Sequence, residues 1–348
     1  MGGPPLHLLR AALGFLCALL LTNWLAGALG LRWTATGSNR HLQILHHFLT
    51  SEDQPAVVFF GTSMTRHAFP SQVLEQALAE RGVPGAVWNL GLPGASAPIA
   101  LPLVTEVLDM RTTPRLLVLE ASAFFWNEAR PGSGAEMYWR WFAPLGEVAR
   151  QVGEQPFGHT AAAIRRQVWG AEALWRWPQF RLVGENRLHL ADLRESHGGV
   201  FTPRVYRALE QGIWPPRVPR PPDVPLEQAM RGFEPLRFGD SWSETLARLA
   251  AACDSRSIEL LVVDLPLRPD LAEALDPAQQ DAFRAWLRQR CELAGVAWVS
   301  LPAPLLPEAE QGAEPRPVFL DPMHLSPEAA AVFARRFAEE QLAPRLIG

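Results

Sequence analysis

Residues 318–330, VFLDPMHLSPEAA, set Asp321 and His324 three apart in a turn that contains Pro322 and precedes Ser326 and Pro327. An acid at that spacing can take one imidazole N–H, fix the ring's tautomer and leave the other ring nitrogen to reach outward. Such a pair activates a nucleophile if a hydroxyl stands within its reach. Ser63 is the candidate hydroxyl. In AVVFFGTSMTRHAFP, residues 56–70, an apolar run stops at Gly61, and Thr62 and Ser63 follow at once. Each stretch alone has a plainer reading: a strand-to-helix turn capped by Ser or Thr, and a helix-entry turn whose Asp and His bond the backbone. Together they amount to a nucleophile, a base and an orienting acid.

These residues need a scaffold that brings position 63 to position 324. Residues 56–60 read as a buried strand, and FPSQVLEQALAERG as a helix with Pro70 at its start and Gly82 past its end. GAVWNLG is a second strand, 97–110 a helix, and 115–122 a third strand. Helices follow at 243–257, at 276–295 and from Ser326 to the chain's end, with strands at 258–266 and 296–302 between them. Ser326, Pro327 and Glu328 supply a cap, an N1 proline and a first-turn acid for the closing helix. Near-continuous apolar strands alternating with amphipathic helices predict an α/β domain, a three-layer α/β/α sandwich on a five-stranded parallel sheet. Ligands of such sheets sit beyond the carboxyl ends of the strands, where Ser63 and the Asp321–His324 turn can meet.

This order of blocks resembles the SGNH (GDSL-like) hydrolase and acyltransferase superfamily, whose fold is flavodoxin-like. Its Gly-Asp-Ser block matches Gly61-Thr62-Ser63. Its Asn after strand two, with Gly five residues on, matches Asn89 and Gly94. Its Asp-x-x-His matches Asp321 and His324. The likeness spans about 55–345. It departs at Thr62, where the family has Asp, and in the third block, where Phe124 stands near the place of an oxyanion-binding Asn and Asn127 is off register. The resemblance implies Ser63 as nucleophile, His324 as base and Asp321 as its orienter. It implies an oxyanion hole from the Ser63 and Gly94 N–H groups with the Asn89 side chain, and no metal or organic cofactor. Ser122 or a residue of the large insertion would replace the missing Asn. Thr62, Arg66 and His67 beside the serine, and His197 in SHGGVF, are candidate substrate contacts. First-turn exposure and a flexible glycine turn are the plainer accounts of Arg66, His67 and His197.

Residues 11–31 carry no charge and are long enough to cross a bilayer, with Trp24 and Trp33 suited to its interface. They predict a single-pass anchor, 1–31, or a signal peptide cut near Ala26-Gly27-Ala28. Either way the remainder leaves the cytoplasm: a membrane-proximal linker over 32–54, then the catalytic domain over 55–348 in the periplasm or cell exterior. Between strands three and four, 125–240 hold most of the 13 Trp and many of the 32 Pro, an insertion suited to shaping a substrate surface or only to packing. A net charge of −4 leaves no footprint for nucleic acid, and no Cys/His spacing marks a metal site. Cys253 and Cys291 are a disulfide in an oxidising compartment or two buried thiols. The Gly-Asp-Ser at 239–241 follows a proline-rich loop and breaks the block order; Ser241 or Ser243 reads as a helix cap.

The expected function is serine-dependent acyl transfer or ester hydrolysis, of O-acetyl type, on a surface polysaccharide or other acylated carbohydrate. A membrane partner would have to carry acyl groups across, because one helix cannot. The alternative is a catalytically degenerate SGNH fold that binds glycan or scaffolds an export complex.

Overall fold

The run that ends at Gly61 forms β1 (Pro55–Phe60), buried at every residue. Around it the computed structural model describes residues 54–91, 94–97, 114–129, 225–300 and 318–347, with single helical positions at 14, 17, 18, 21, 48, 101, 104 and 108. The chain divides into two compact units, Met1–His46 with Glu136–His189, and His47–Ala135 with Leu190–Gly348. The second holds the sheet. Among the described residues no helix is long and apolar enough to cross a membrane, and the 11–30 segment expected to do so lies almost wholly outside them.

After β1 come α1 (Ser63–Ala68) and α2 (Ser71–Glu80), then β2 (Ala86–Asn89). β3 (Leu116–Glu120) is followed by the single turn α3 (Ala123–Trp126). Past the insertion stand α4 (Leu226–Met230), α5 (Asp240–Asp254) and β4 (Glu259–Val263). Next are α6 (Pro269–Ala274), α7 (Pro277–Leu293) and β5 (Ala297–Val299), and the chain closes with α8 (Pro327–Phe337), a π-turn over Ala338–Leu342 and α9 (Ala343–Ile347). The strands lie in the order β2-β1-β3-β4-β5, all parallel, as predicted for an α/β fold. Right-handed crossovers then place α2 on one face and α5 and α7 on the other, and the closing helix α8 joins α2 through its contacts. The contacts agree, since α8 packs on α1 and α2 while α5 packs on α7 and β4. Covered on both faces, β1 and β3 are apolar at nearly every position, without the alternation of a half-exposed strand.

Three details differ from expectation. The residues after Ser63 form a short helix of their own, α1, before α2 begins. The 243–257 helix starts three residues earlier, at Asp240 with Gly239 as its N-cap, so neither Ser241 nor Ser243 caps it. It also ends earlier, at Asp254, and Ser257 (φ 57°) turns the chain into β4. Of the helix expected over 97–110, the described positions Ala97, Leu101, Val104 and Leu108 are helical and buried, at the spacing of one helix face. Phe48, in the stretch expected as a linker, is buried with its ring edge-on to Trp88 at 5.2 Å.

Cys253 and Cys291 are free, buried thiols. Burial pushes Cys253 up to about 11, against the pull of Arg256, and Cys291 up to about 12. A thiol held that high is almost entirely unionised at pH 8 and a poor nucleophile. Iodoacetamide at pH 8, mapped by peptide mass spectrometry, will therefore leave both unmodified in the folded chain and alkylate both in denaturant.

Candidate active site

Strand order reverses at β1, where the chain runs first to β2 on one side and then to β3 on the other. The crevice of such a sheet lies beyond the tips of β1 and β3. The register brings those tips together. Phe60 pairs with Leu119, so the next residues, Gly61 and Glu120, stand side by side. A Cβ on Gly61 would lie 2.1 Å from Thr65 Oγ1 and 2.5 Å from Glu120 Oε2, so this position admits no side chain. Thr62 then caps α1, its Oγ1 accepting the Met64 N–H at 3.0 Å. That places Ser63 at the first position of α1, half-buried at the mouth of the turn.

Glu120 is the centre beneath that turn. Its carboxylate, 2% exposed, accepts the Thr62 N–H at 2.7 Å, the Thr62 hydroxyl at 2.9 Å and the Thr65 hydroxyl at 2.7 Å. The Ser122 hydroxyl also donates to it, while Ser122 Oγ accepts the Phe125 N–H as the cap of α3. At the tip of β4, burial pushes the Asp264 carboxyl up; Arg284 pulls it back, and the charge of Glu120 adds to the rise.

The second half of the site is a tight loop. Leu320 N–H donates to the His324 carbonyl at 2.8 Å and Ser326 N–H to the Val318 carbonyl at 2.9 Å, so residues 321–324 form its tip. Pro322 and the Asp321 side chain favour that turn: Asp321 Oδ1 accepts the Met323 N–H at 2.8 Å and the His324 N–H at 3.0 Å. Ser326 Oγ caps α8 through the Ala329 N–H, with Pro327 in its first turn, as the sequence predicted. An aromatic cluster ties the two halves together beneath the site. Phe69, just past α1, has its ring 4.5 Å from Phe59 of β1 and 4.9 Å from Phe337 of α8.

Ser63, His324 and Asp321 converge. His324 Nε2 lies 2.8 Å from Ser63 Oγ, and His324 Nδ1 lies 2.6 Å from Asp321 Oδ2. Asp321 has no protons to give when ionised, so Nδ1 carries the hydrogen and the Nε2 lone pair faces the serine hydroxyl. Burial alone would raise the Asp321 carboxyl, but the His324 ring and the two backbone N–H groups outweigh it and hold the group below its usual value. The arrangement joins a hydroxyl, an imidazole and a carboxylate across 261 residues of sequence, a geometry that can serve as nucleophile, base and orienting acid.

The other candidates separate. Asn89 is not an oxyanion donor here: its amide N–H groups go to the Thr65 carbonyl at 3.0 Å and the Phe69 carbonyl at 2.7 Å, and its Oδ1 accepts the Gly91 N–H. It positions the α1–α2 backbone against β2. Thr62 and Ser122 are buried and committed to Glu120, so neither is a substrate contact. Arg66 is buried too, 5% exposed, and so not a first-turn residue reaching outward. His67 is half-buried, with its ring 4.6 Å from the His324 ring, beside the Ser63–His324 pair. Gly94 is half-buried at φ 74°, a conformation that favours glycine. His197 lies outside the described residues. Phe124 lies with its ring tilted at 52° to that of Phe233, 5.4 Å away, and packs on Gly232. Asn127 clasps the base of the insertion: Nδ2 donates to the Phe233 and Pro235 carbonyls, and Oδ1 accepts the Ala129 and Arg237 N–H groups.

Sequence reading missed Glu120 and Thr65. The signal was there in LLVLE, an acid closing an otherwise apolar buried strand, since such a group needs donors to receive it.

No protein-family model matches the chain, and no curated protein matches it.

Proposed function

We propose that this protein is a serine esterase or O-acyltransferase. The observation that carries the reading is the continuous Ser63–His324–Asp321 hydrogen-bond relay. Ser63 Oγ attacks the acyl carbonyl carbon as its proton passes to His324 Nε2, and Asp321 stabilises the imidazolium through Nδ1–H. Thr62 N–H and Met64 N–H are taken by Glu120 and by the Thr62 hydroxyl, which leaves the Ser63 N–H, at the first helical position, for the oxyanion. Gly94 N–H is the second candidate donor. The tetrahedral adduct collapses as His324 returns the proton to the leaving oxygen, giving an acyl-Ser63. Water or a sugar hydroxyl then attacks that ester, His324 takes the attacker's proton, and Ser63 leaves with it.

The similarity of the blocks at 61–63, 89–94 and 321–324 to the SGNH superfamily supports this class, with an O-acetyl group on an exported polysaccharide as the substrate. The apolar segment at 11–30 supports a single-pass protein of the cytoplasmic membrane whose domain faces the periplasm or exterior, beside a partner that delivers acyl groups. One observation favours the second reading, a degenerate SGNH fold that binds glycan. The Asn89, Thr62 and Ser122 side chains all have other partners, so oxyanion binding falls to backbone N–H groups.

The test is covalent. A fluorophosphonate added to the full-length chain should leave one adduct, on Ser63 by peptide mass spectrometry, and none in Ser63→Ala. A folded wild-type chain that takes no label on Ser63 would overturn the enzyme reading in favour of the glycan binder.

A further inference from the structure

We infer that Glu120 is the positioning residue of this site, the group that fixes the aim of Ser63 without touching it. The inference rests on the reading of Ser63 as the nucleophile. Glu120 bonds the residue before Ser63 and the residue two after it, Thr62 and Thr65, through three donors within 2.9 Å. Its side-chain bonds go to Thr62, Thr65 and Ser122, and not to Ser63 Oγ or the His324 ring.

The chemistry of the donors explains why a carboxylate stands there. Thr62 Oγ1 and Ser122 Oγ each accept a backbone N–H as a helix cap, of α1 and of α3. Each hydroxyl has one proton, and each directs it to Glu120. One carboxylate therefore ties together the helix starts that follow β1 and β3, the two strands that flank the crevice. Chained hydrogen bonds of this kind polarise one another and stiffen the backbone they hold. An apolar side chain at 120 would fill space but would leave these hydroxyl protons and the Thr62 N–H without acceptors. Gly61 completes the device, because any side chain there would occupy the position of the carboxylate. The Ser63 Oγ to His324 Nε2 distance is 2.8 Å, and a shift of about 1 Å at a reacting atom costs about 10²-fold in rate. A turn pinned on both sides of the serine prevents that shift.

The test measures fluorophosphonate labelling of Ser63 in the full-length chain, as saturation kinetics that separate kinact from KI. Thr65→Val removes one donor to Glu120 at nearly constant shape, and Thr65→Ser keeps it. Both are compared with Glu120→Gln at a temperature where thermal melts show every variant folded. Thr65→Val should lower kinact by about tenfold to a hundredfold and leave KI and the pH midpoint of kinact in place, because His324 and Asp321 are untouched. Thr65→Ser should restore kinact, and Glu120→Gln should fall at least as far as Thr65→Val. If Glu120→Gln does not fold, the Thr65 pair still decides. Wild-type kinact in Thr65→Val, or an equal fall in Thr65→Val and Thr65→Ser, would overturn the role of Glu120 and leave the nucleophile standing. A wild-type chain without label on Ser63 would remove both.

Discussion

His324→Ala lowers the rate at which a fluorophosphonate labels Ser63 by about 10⁴–10⁶-fold, the loss expected when a base that works as a unit with its nucleophile is removed. The hydroxyl proton faces Nε2 of that ring, which makes the 2.8 Å contact. Asp321→Asn is the subtler variant and costs about 10⁴-fold. Asparagine can keep the bonds to the Met323 and His324 N–H groups through its carbonyl oxygen, so the loop holds its shape. Its amide then faces Nδ1 as a donor, which forces the ring into the tautomer with a proton on Nε2, pointing at Ser63. Acid removes the stability difference between the wild type and Asp321→Asn. The folded-state Asp321 carboxyl is held below its ordinary value, so its contribution to stability is complete above about pH 4 and is lost as the pH falls through the folded value. The melting temperature of the wild type should thus exceed that of Asp321→Asn at pH 6, and the gap should close on acidification below about pH 4. A gap that stays constant would mean that the carboxylate is not what His324 and its loop are built around.

Much of this was legible because the relevant signals are local. An apolar run that ends in Gly-Thr-Ser, and an Asp-Pro-x-His turn before a capped helix, announce a strand tip and a loop without knowledge of anything distant. The alternation of runs and amphipathic stretches announces a parallel sheet in the same way. What the sequence could not display was which partner each polar group takes. Asn89 occupies the position of an oxyanion donor by block order, yet its amide is drawn to the Thr65 and Phe69 carbonyls, because carbonyls at and just past a helix's end run short of helical donors. Ser122 looked open at a strand tip, but the β1–β3 register sets Glu120 beside Gly61 and claims that hydroxyl. Asn127 was three residues from the expected oxyanion position near Phe124 and turned out to bind segment 233–237, more than a hundred residues away. Pairings of this range are decided by register and topology, which hydrophobic periodicity does not encode.

Gly61→Ala is the single smallest change with a large expected effect on both stability and activity. The glycine is required by space: its Cβ would lie 2.1 Å from Thr65 Oγ1, 2.5 Å from Glu120 Oε2 and 2.7 Å from Glu120 Cβ. A hydroxyl can rotate away, but the Cβ of Glu120 is fixed to β3, so one strand tip must move. Overpacking of this kind costs about 1–3 kcal/mol, and a displaced hydrogen bond to a charged group about 1.5–3 kcal/mol more. Together they predict a loss of about 3–5 kcal/mol, read as a fall of roughly six to ten degrees in melting temperature. Gly82→Ala is the matched control. It has a left-handed φ of 78° and nothing within 4 Å, so its cost is confined to backbone strain of about 1–2 kcal/mol. The two variants also differ in chemistry. Gly61→Ala should lose Ser63 labelling by about a hundredfold even where the chain remains folded, because the displaced strand tip carries the serine with it. Gly82→Ala, at the far end of α2, should label like the wild type. If Gly61→Ala melts and labels like Gly82→Ala, the close approach of Glu120 to the serine turn is not what shapes this site.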